Sequence, residues 1–436
     1  MSKSVFKISA RTIGCRLNQY ETEKIATSLI PYGFVRVGKN ESADIFVINT
    51  CTVTHRADAD ARNIIRRAAR LNPEGKIVVT GCYAGSHADE LAQMSDVDLV
   101  VTNRDKDKML SILQSRFPEM FKSEPISNCS ENISDFYLHN RAWLKVSDGC
   151  NQWCSFCIIP QVRGRLKNRS ALEIINEINS LVESGYEEVV LTGVNLGHYK
   201  NRKVEPQIKN LASLCRMILE KTHLHRLRIS SIEPQTVRQE MLDVYAQSGG
   251  RICRHFHMPL QSGSSKILKE MQRPYDQKIY LKRVEAVKEV NPDTTIGADV
   301  IVGFPGETDE DFRETKKVVE SGLLDYLHVF SYSDRPNTKA SSYDNKTEPK
   351  IIRERNQELT EISKKIKENS YIKQLGKNLE IISESTKASN GHFWGISDNF
   401  LKVKVSGKLP ENSRKAVKVN IIDYAENHLS GTLISE

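Results

Sequence analysis

The chain has 436 residues, 39% hydrophobic and 27% charged, with a formal net charge of +8 and a pI near 8.9. That length exceeds one core and implies two to four domains, and the basic bias is compatible with nucleic acid without requiring it. The opening MSKSVFKISARTIGC has no apolar h-region, and no stretch approaches the roughly 18 apolar residues that span a bilayer, so secreted and membrane classes are set aside and a cytoplasmic location is expected.

The first section alternates strand and helix patterns. Strands are expected over 5–13, 44–50, 76–81 and 98–102, with helices over 19–30, 57–71 and 87–93. This alternation implies a parallel, doubly wound sheet. Cys15, Cys51 and Cys82 fall at or just past the C-terminal ends of successive strands, in TIGCRLN, INTCTVT and VTGCYAG. Their intervals of 36 and 31 residues each match about one βα unit. Ligands of open α/β sheets collect at the carboxyl ends of strands, so the three could converge on one point. The alternative is three unrelated core residues, because free cysteine is often buried. The polar stretch 121–135 reads as a linker, with Cys129 incidental to it.

A middle section repeats strands over 143–147, 188–192, 226–231, 255–260, 295–302 and 326–332, with helices such as 171–184 and 277–290. Six βα units suggest a partial parallel barrel; an open doubly wound sheet competes with it. A charged helix follows over 351–373, then short strands over 378–384, 400–406, 416–422 and 431–434, which read as a small all-β module. The expected division is an α/β domain over 1–120, a barrel domain over 136–348, a linking helix over 349–371 and the β module over 372–436. Repeats and low-complexity tracts are not found.

Nine cysteines without a secretory signal point to metal or thiol chemistry rather than a disulfide framework. The segment CNQWCSFC places Cys150, Cys154 and Cys157 directly after the first barrel strand, at the face where barrel enzymes build their sites. Three thiolates hold a four-iron cluster with one iron left open. A structural zinc takes four ligands, and a zinc site completed by a distant residue is the alternative.

CNQWCSFC resembles the CxxxCxxC loop of radical S-adenosylmethionine (SAM) enzymes. That resemblance implies that the cofactor's methionine moiety chelates the open iron and that one electron cleaves its sulfonium to a 5'-deoxyadenosyl radical. LTGVNLG (191–197), RISSIEP (228–234), MPLQSGS (258–264) and GADVIVGFPGET (297–308) are similar to the superfamily's cofactor-lining segments. They imply SAM contacts at Gly193, Ser231, Leu260, Gln261 and Asp299. GCRLNQYETE, ADIFVINTCTVT and VVTGCYAG resemble the N-terminal domain of the methylthiotransferase family. The likeness implies a second four-iron cluster on Cys15, Cys51 and Cys82, and two roles for SAM, as methyl donor and as radical source. No general acid–base pair is evident, and no catalytic residue is assigned beyond the cluster ligands. GCRLNQYETE resembles the bacterial branch acting on N6-threonylcarbamoyladenosine at tRNA position 37; the isopentenyladenosine branch tends to a GCQMN-like start and an aspartate where Glu21 stands. That branch and one acting on a ribosomal protein are the alternatives.

GHFWGISDNFLKVKVSG resembles the RNA-binding TRAM barrel. Phe393, Trp394 and Phe400 could stack on bases or could pack its small core. Arg62, Arg66 and Arg70, with Arg67 beside them, share a helix face that suits a phosphate backbone or simply a solvated surface. RGRLKNRS (163–170) reads as a contact for cofactor or RNA phosphate. His255 and His257 read as pocket lining or core, and Cys215 and Cys253 as buried thiols. The partners expected from the resemblance are the tRNA anticodon loop, SAM, an electron donor such as flavodoxin or ferredoxin, and a sulfur source, with no membrane. A function of another class would be an iron–sulfur electron carrier or RNA-binding sensor, which would not need the glycine-containing cofactor segments.

Overall fold

The computed structural model describes residues 5–122, 124–125, 133, 135–202, 204–384 and 391–434; Cys129 lies outside them. The chain forms two compact units, one of residues 1–134 with 148–152 and 157–167, the other of 135–147, 153–156 and 168–436.

In the first unit β1 (Phe6–Thr12), β2 (Phe34–Arg36), β3 (Ile45–Thr50), β4 (Lys76–Gly81) and β5 (Leu99–Val101) make a parallel sheet in the order β2-β1-β3-β4-β5. All six residues of β3 are buried, as a central strand covered on both faces requires. Helix α1 (Arg16–Leu29) places Ile25, Ala26 and Leu29 in one hydrophobic cluster, together with Met109 and Leu113 of the helix Met109–Arg116. Helix α2 (His55–Leu71) places Ala61, Ile65 and Ala68 in a second cluster, at the spacing of one helix face. The side chain of Thr54 caps α2 by accepting from Ala57 N–H. Neither β2 nor the helix Met109–Arg116 is foreseen by the periodicity. A three-residue strand holds too little alternation to register.

In the second unit β6 (Ala142–Lys145), β7 (Glu188–Thr192), β8 (Arg226–Ile229), β9 (His255–His257), β10 (Thr295–Val302) and β11 (Tyr326–Ser331) are all parallel. They form two three-stranded sheets linked by single bridges, Leu227 to Ile252 and Ser231 to His257. The neighbours therefore follow chain order from β6 to β11 without reversal. A doubly wound sheet reverses its order at a switch point, so this is the partial barrel.

The helix Pro349–Ile372 packs along β11, where Ser363 Oγ accepts from Leu327 N–H at 3.1 Å. Beyond it β12 (Asn378–Ser383), β13 (His392–Ser397), β14 (Lys402–Ser406), β15 (Ala416–Ala425) and β16 (His428–Leu433) close a barrel in the order β12-β13-β14-β16-β15. Strand β13 is absent from the sequence expectation, since Gly395 interrupts its pattern. That glycine admits the Ile381 side chain, whose Cδ1 would lie 2.5 Å from an added Cβ.

A buried ion cluster joins this barrel to β7 and β8. Glu188 is fully buried and accepts from Arg226 and Arg228, which donate onward to the carbonyls of Glu380 (3.0 Å), Ser397 (2.9 Å) and Asp398 (3.0 Å). Burial pushes the Glu188 carboxyl up, but Arg228, Arg226 and Arg141 outweigh it and hold it well below the usual range. A carboxyl depressed by folding adds stability above its unfolded pKa, about 4.3, and loses it as pH falls toward the folded value. Glu188→Gln leaves two buried guanidiniums short of a counter-charge and should cost about 3–5 kcal/mol. Thermal melts should show a deficit at pH 7 that narrows below about pH 4.3.

Candidate functional site

The first unit brings its three cysteines to one end of the sheet. Cys51 and Cys82 directly follow Thr50 and Gly81, which are paired in register. Gly81 has φ +101°, and an added Cβ would lie 2.3 Å from Thr50 O, so only glycine lets the two strand ends pass this closely. Gly14 has φ +100°, and an added Cβ would lie 2.7 Å from Cys51 Cβ and 3.1 Å from its Sγ. Cys15 therefore begins α1 beside Cys51. Asn18 Nδ2 ties the two turns, donating to Ile13 O at 2.8 Å and Thr50 O at 3.0 Å.

Arg163 ends the short helix Ile159–Arg163, and its side chain is 1% exposed. Its Nε donates to Cys82 Sγ at 3.2 Å, and its remaining N–H groups reach Glu21 (2.9 Å), Asp148 (2.9 Å) and Asn18 Oδ1. Glu21 also accepts from Lys106 Nζ at 2.6 Å. Burial pulls the Arg163 guanidinium toward neutrality, but Glu21, Cys82 and Asp148 outweigh it and keep it charged. Burial pushes the Cys15 thiol up, and that of Cys51 to about 11; the neighbouring thiols add to this and Arg163 opposes it. The three sulfurs thus sit within electrostatic reach of one another.

Cys150 and Cys157 belong to the same unit. Gly149 has φ +68°, with Arg165 O 2.3 Å from where its Cβ would be, and Cys150 N–H donates to Gly164 O at 3.1 Å. The Gln152 amide points at Cys150 Sγ, 3.3 Å away.

Cys154 belongs to the second unit, where Arg273 donates to its Sγ at 3.1 Å. Arg273 is 4% exposed, pairs with Glu233 and donates from Nε to Tyr275 Oη at 3.1 Å. Ser155 fixes the adjoining loop, with its N–H on Met271 O, its Oγ on Glu270 O and its carbonyl accepting from Ala340 N–H.

Four of the expected SAM contacts, Gly193, Ser231, Leu260 and Gln261, follow the C-terminal ends of parallel strands, and Asp299 lies within β10. An added Cβ at Gly193 would lie 2.4 Å from Ser147 Oγ and 3.0 Å from Leu196 Cδ2, so glycine is what lets the turn after β7 pack this closely on Ser147. Gln261 has φ +66°, an outlier for a side chain of this size, and exchanges backbone hydrogen bonds with Asp299 and Ile301 at 2.7 and 2.9 Å. Among the described residues, Gln261 Oε1 and Ser147 Oγ are buried without a hydrogen-bond partner. Such orphaned polar atoms fit a polar ligand such as SAM. The Asp299 carboxylate lies 3.0 Å from His257 Nε2 and 3.2 Å from His328 Nδ1, while Tyr326 Oη bridges His255 (2.8 Å) and His257 (3.2 Å). Burial pushes the Asp299 carboxyl up, and the two imidazoles outweigh it and hold it low. These three ligating groups lie within 4.8 Å of one another and satisfy one another by hydrogen bonds. Ser231 is exposed and bridges to His257, and Leu260 is fully buried. Gln261, Asp299 and Ser231 are thus brought together through β9 and β10, whereas the Leu260 side chain belongs to the packing.

Two expected RNA contacts are corrected. Phe393 is 1% exposed inside the small barrel, among Leu379, Ile381 and Val403, and presents no face. The Phe400 ring stacks on His255 at 4.4 Å with Arg228 5.3 Å above it, so it is spent on packing. Trp394 is half-buried, with Lys402 Nζ 4.1 Å over its ring. On α2, Arg66 and Arg70 are exposed, while Arg62 is drawn to Tyr83 Oη at 2.7 Å. Arg273, Lys106, Tyr326 and His328 escape the sequence reading. They carry no signal beyond residue type. Cys215 and Cys253 are buried thiols, as expected.

The model of the radical SAM superfamily matches residues 144–319, and that of an uncharacterized protein family, UPF0004, matches residues 7–102. The threonylcarbamoyladenosine tRNA methylthiotransferase of Bacillus subtilis is 37% identical over 98% of this chain and 96% of its own length. That of Aquifex aeolicus is 36% identical over 92% of this chain and 97% of its own. A tRNA-2-methylthio-N(6)-dimethylallyladenosine synthase of Syntrophobacter fumaroxidans is 31% identical over 98% of this chain and 95% of its own. Among solved structures, the radical SAM methyltransferase TsrM from Kitasatospora setae shares the fold, with TM-score 0.55 and 16% identity over 77% of this chain and 76% of that one. The radical SAM model, taken with these full-length relatives, places the chain in the radical SAM class of enzymes. Likeness over nearly its full length to the first two relatives shows that it belongs to the family of threonylcarbamoyladenosine tRNA methylthiotransferases. The enzyme is a transferase of the radical SAM type, and its donor sets fit the family's iron–sulfur clusters and SAM.

Replacing Cys51 or Cys150 singly by alanine should each remove about four irons per chain after anaerobic reconstitution and leave the other cluster in place. Iron and sulfide assay with electron paramagnetic resonance checks this.

Proposed function

We propose that the protein adds a methylthio group to C2 of N6-threonylcarbamoyladenosine at position 37 of tRNA, giving 2-methylthio-N6-threonylcarbamoyladenosine. The observation that carries the reading is two separate three-cysteine sets in one chain, Cys150, Cys154 and Cys157 in the barrel loop and Cys15, Cys51 and Cys82 at the sheet's carboxyl end. Each set leaves one iron of its cluster without a protein thiolate, one for SAM and the other for the sulfur to be transferred. When bound, the clusters and SAM would supply the radical and the methyl group, and the open iron of the second cluster would hold the sulfur that is transferred.

The chain's own residues bind and orient. Gly193, Ser147 and Gln261 offer polar groups to SAM, and Asp299, fixed by His257 and His328, offers a carboxylate. Arg66 and Arg70 offer phosphate contacts, and Trp394 with Lys402 offers a cationic stacking edge on the small barrel. An electron donor of the flavodoxin or ferredoxin kind and a sulfur source complete the reaction in the cytoplasm. No helix among the described residues is long and apolar enough to cross a membrane. A simple electron carrier would have no use for the glycine-containing cofactor segments and the orphaned polar atoms of the second unit.

Nucleoside mass spectrometry of tRNA from a deletion strain tests the substrate. Loss of 2-methylthio-N6-threonylcarbamoyladenosine, with its unmethylthiolated parent accumulating, is the expected result. Loss of the isopentenyladenosine derivative instead would move the enzyme to the neighbouring branch.

A further inference from the structure

Each cysteine set has one arginine bound to one of its sulfurs. Arg163 Nε donates to Cys82 at 3.2 Å in the first unit, and Arg273 donates to Cys154 at 3.1 Å in the second. Both side chains are almost wholly buried, at 1% and 4% exposure. Neither guanidinium is free to turn away. The Arg163 fork is shared among Cys82, Glu21, Asp148 and Asn18, and that of Arg273 among Cys154, Glu233 and Tyr275. Tyr275 is itself anchored, donating to Pro259 O at 2.7 Å. A buried cation this close to a sulfur has an electrostatic consequence. Adding an electron to an iron–sulfur cluster increases the negative charge on its sulfurs, and an N–H donor stabilises that reduced form more than the oxidised one.

We propose that Arg163 and Arg273 are positioning residues that set the reduction potentials of the two clusters separately, Arg163 through Cys82 and Arg273 through Cys154. The inference rests on the two-cluster reading above. It also states why arginine is used. Lysine is a compact point charge with three donors and no planar fork, so it cannot hold a sulfur, two carboxylates and an amide together as Arg163 does.

The test is a redox titration of the full-length, anaerobically reconstituted protein, following each cluster by electron paramagnetic resonance. Triple alanine replacement of Cys15, Cys51 and Cys82, or of Cys150, Cys154 and Cys157, assigns the two signals. Arg163→Gln should shift the midpoint of the Cys15/Cys51/Cys82 cluster to more negative potential and leave the other unmoved. Arg273→Gln should do the reverse, and the lysine variants should shift in the same direction by less. Unmoved midpoints at full iron content would overturn the inference, as would equal shifts of both clusters in either variant. Iron lost alike from the glutamine and lysine variants would assign a structural role and overturn it too. A wild-type protein that reconstitutes only one cluster would instead overturn the two-cluster reading.

Discussion

The N-terminal unit depends on strand ends lying level. Thr50 pairs with Gly81 across β3 and β4, so the residues that follow, Cys51 and Cys82, emerge side by side. Thr12 of β1 pairs with Asn49, and the chain then needs only Ile13 and Gly14 to bring Cys15 to the same edge. Two glycines in the left-handed region, Gly14 and Gly81, make the approach possible where any Cβ would collide. Parallel register thus gathers three thiols that lie 36 and 31 residues apart in sequence.

Gathering three thiols at one sheet edge creates an electrostatic problem, and the surrounding charges answer it. Desolvation, with the neighbouring thiols, raises the Cys51 pKa to about 11, so metal loading must displace a proton. Arg163 supplies a fixed positive charge at Cys82, and Glu21 holds that arginine together with Lys106. Glu21 uses both carboxylate oxygens, accepting from Arg163 on each and from Lys106 on one, and a side chain one methylene shorter would have less reach to serve both cations. The second unit repeats the logic with Arg273, Glu233 and Tyr275 around Cys154. It repeats it again with Glu188 between Arg226 and Arg228 where the small barrel docks. In each case a buried charge is matched by a partner that leaves few donors unused.

Much of this was legible in the sequence because it rests on local pattern. β4 and β10, and the helix Gln277–Val290, fall where hydrophobic periodicity places them, and the six cysteines stand in short motifs that carry the family resemblance. The three-residue β2 was too short to show a period, and Gly395 masked β13. The site's electrostatics were hidden for a different reason. Arg163 meets Glu21 across 142 positions, and Lys106 meets it across 85, so no window of sequence contains the network. The aromatic residues of the small barrel show the limit in the other direction. Phe393 and Phe400 share a residue type with stacking platforms, yet one faces the barrel core and the other is held by His255 and Arg228.

On the proposed reading, one chain divides radical generation and sulfur delivery between two cysteine sets. A single reaction separates them: reconstituted Cys51→Ala protein with SAM, a reductant and tRNA carrying N6-threonylcarbamoyladenosine. 5'-Deoxyadenosine should still form while no methylthiolated nucleoside appears, whereas Cys150→Ala should yield neither. Methylthiolated product from Cys51→Ala at the wild-type level would rule out this division of labour.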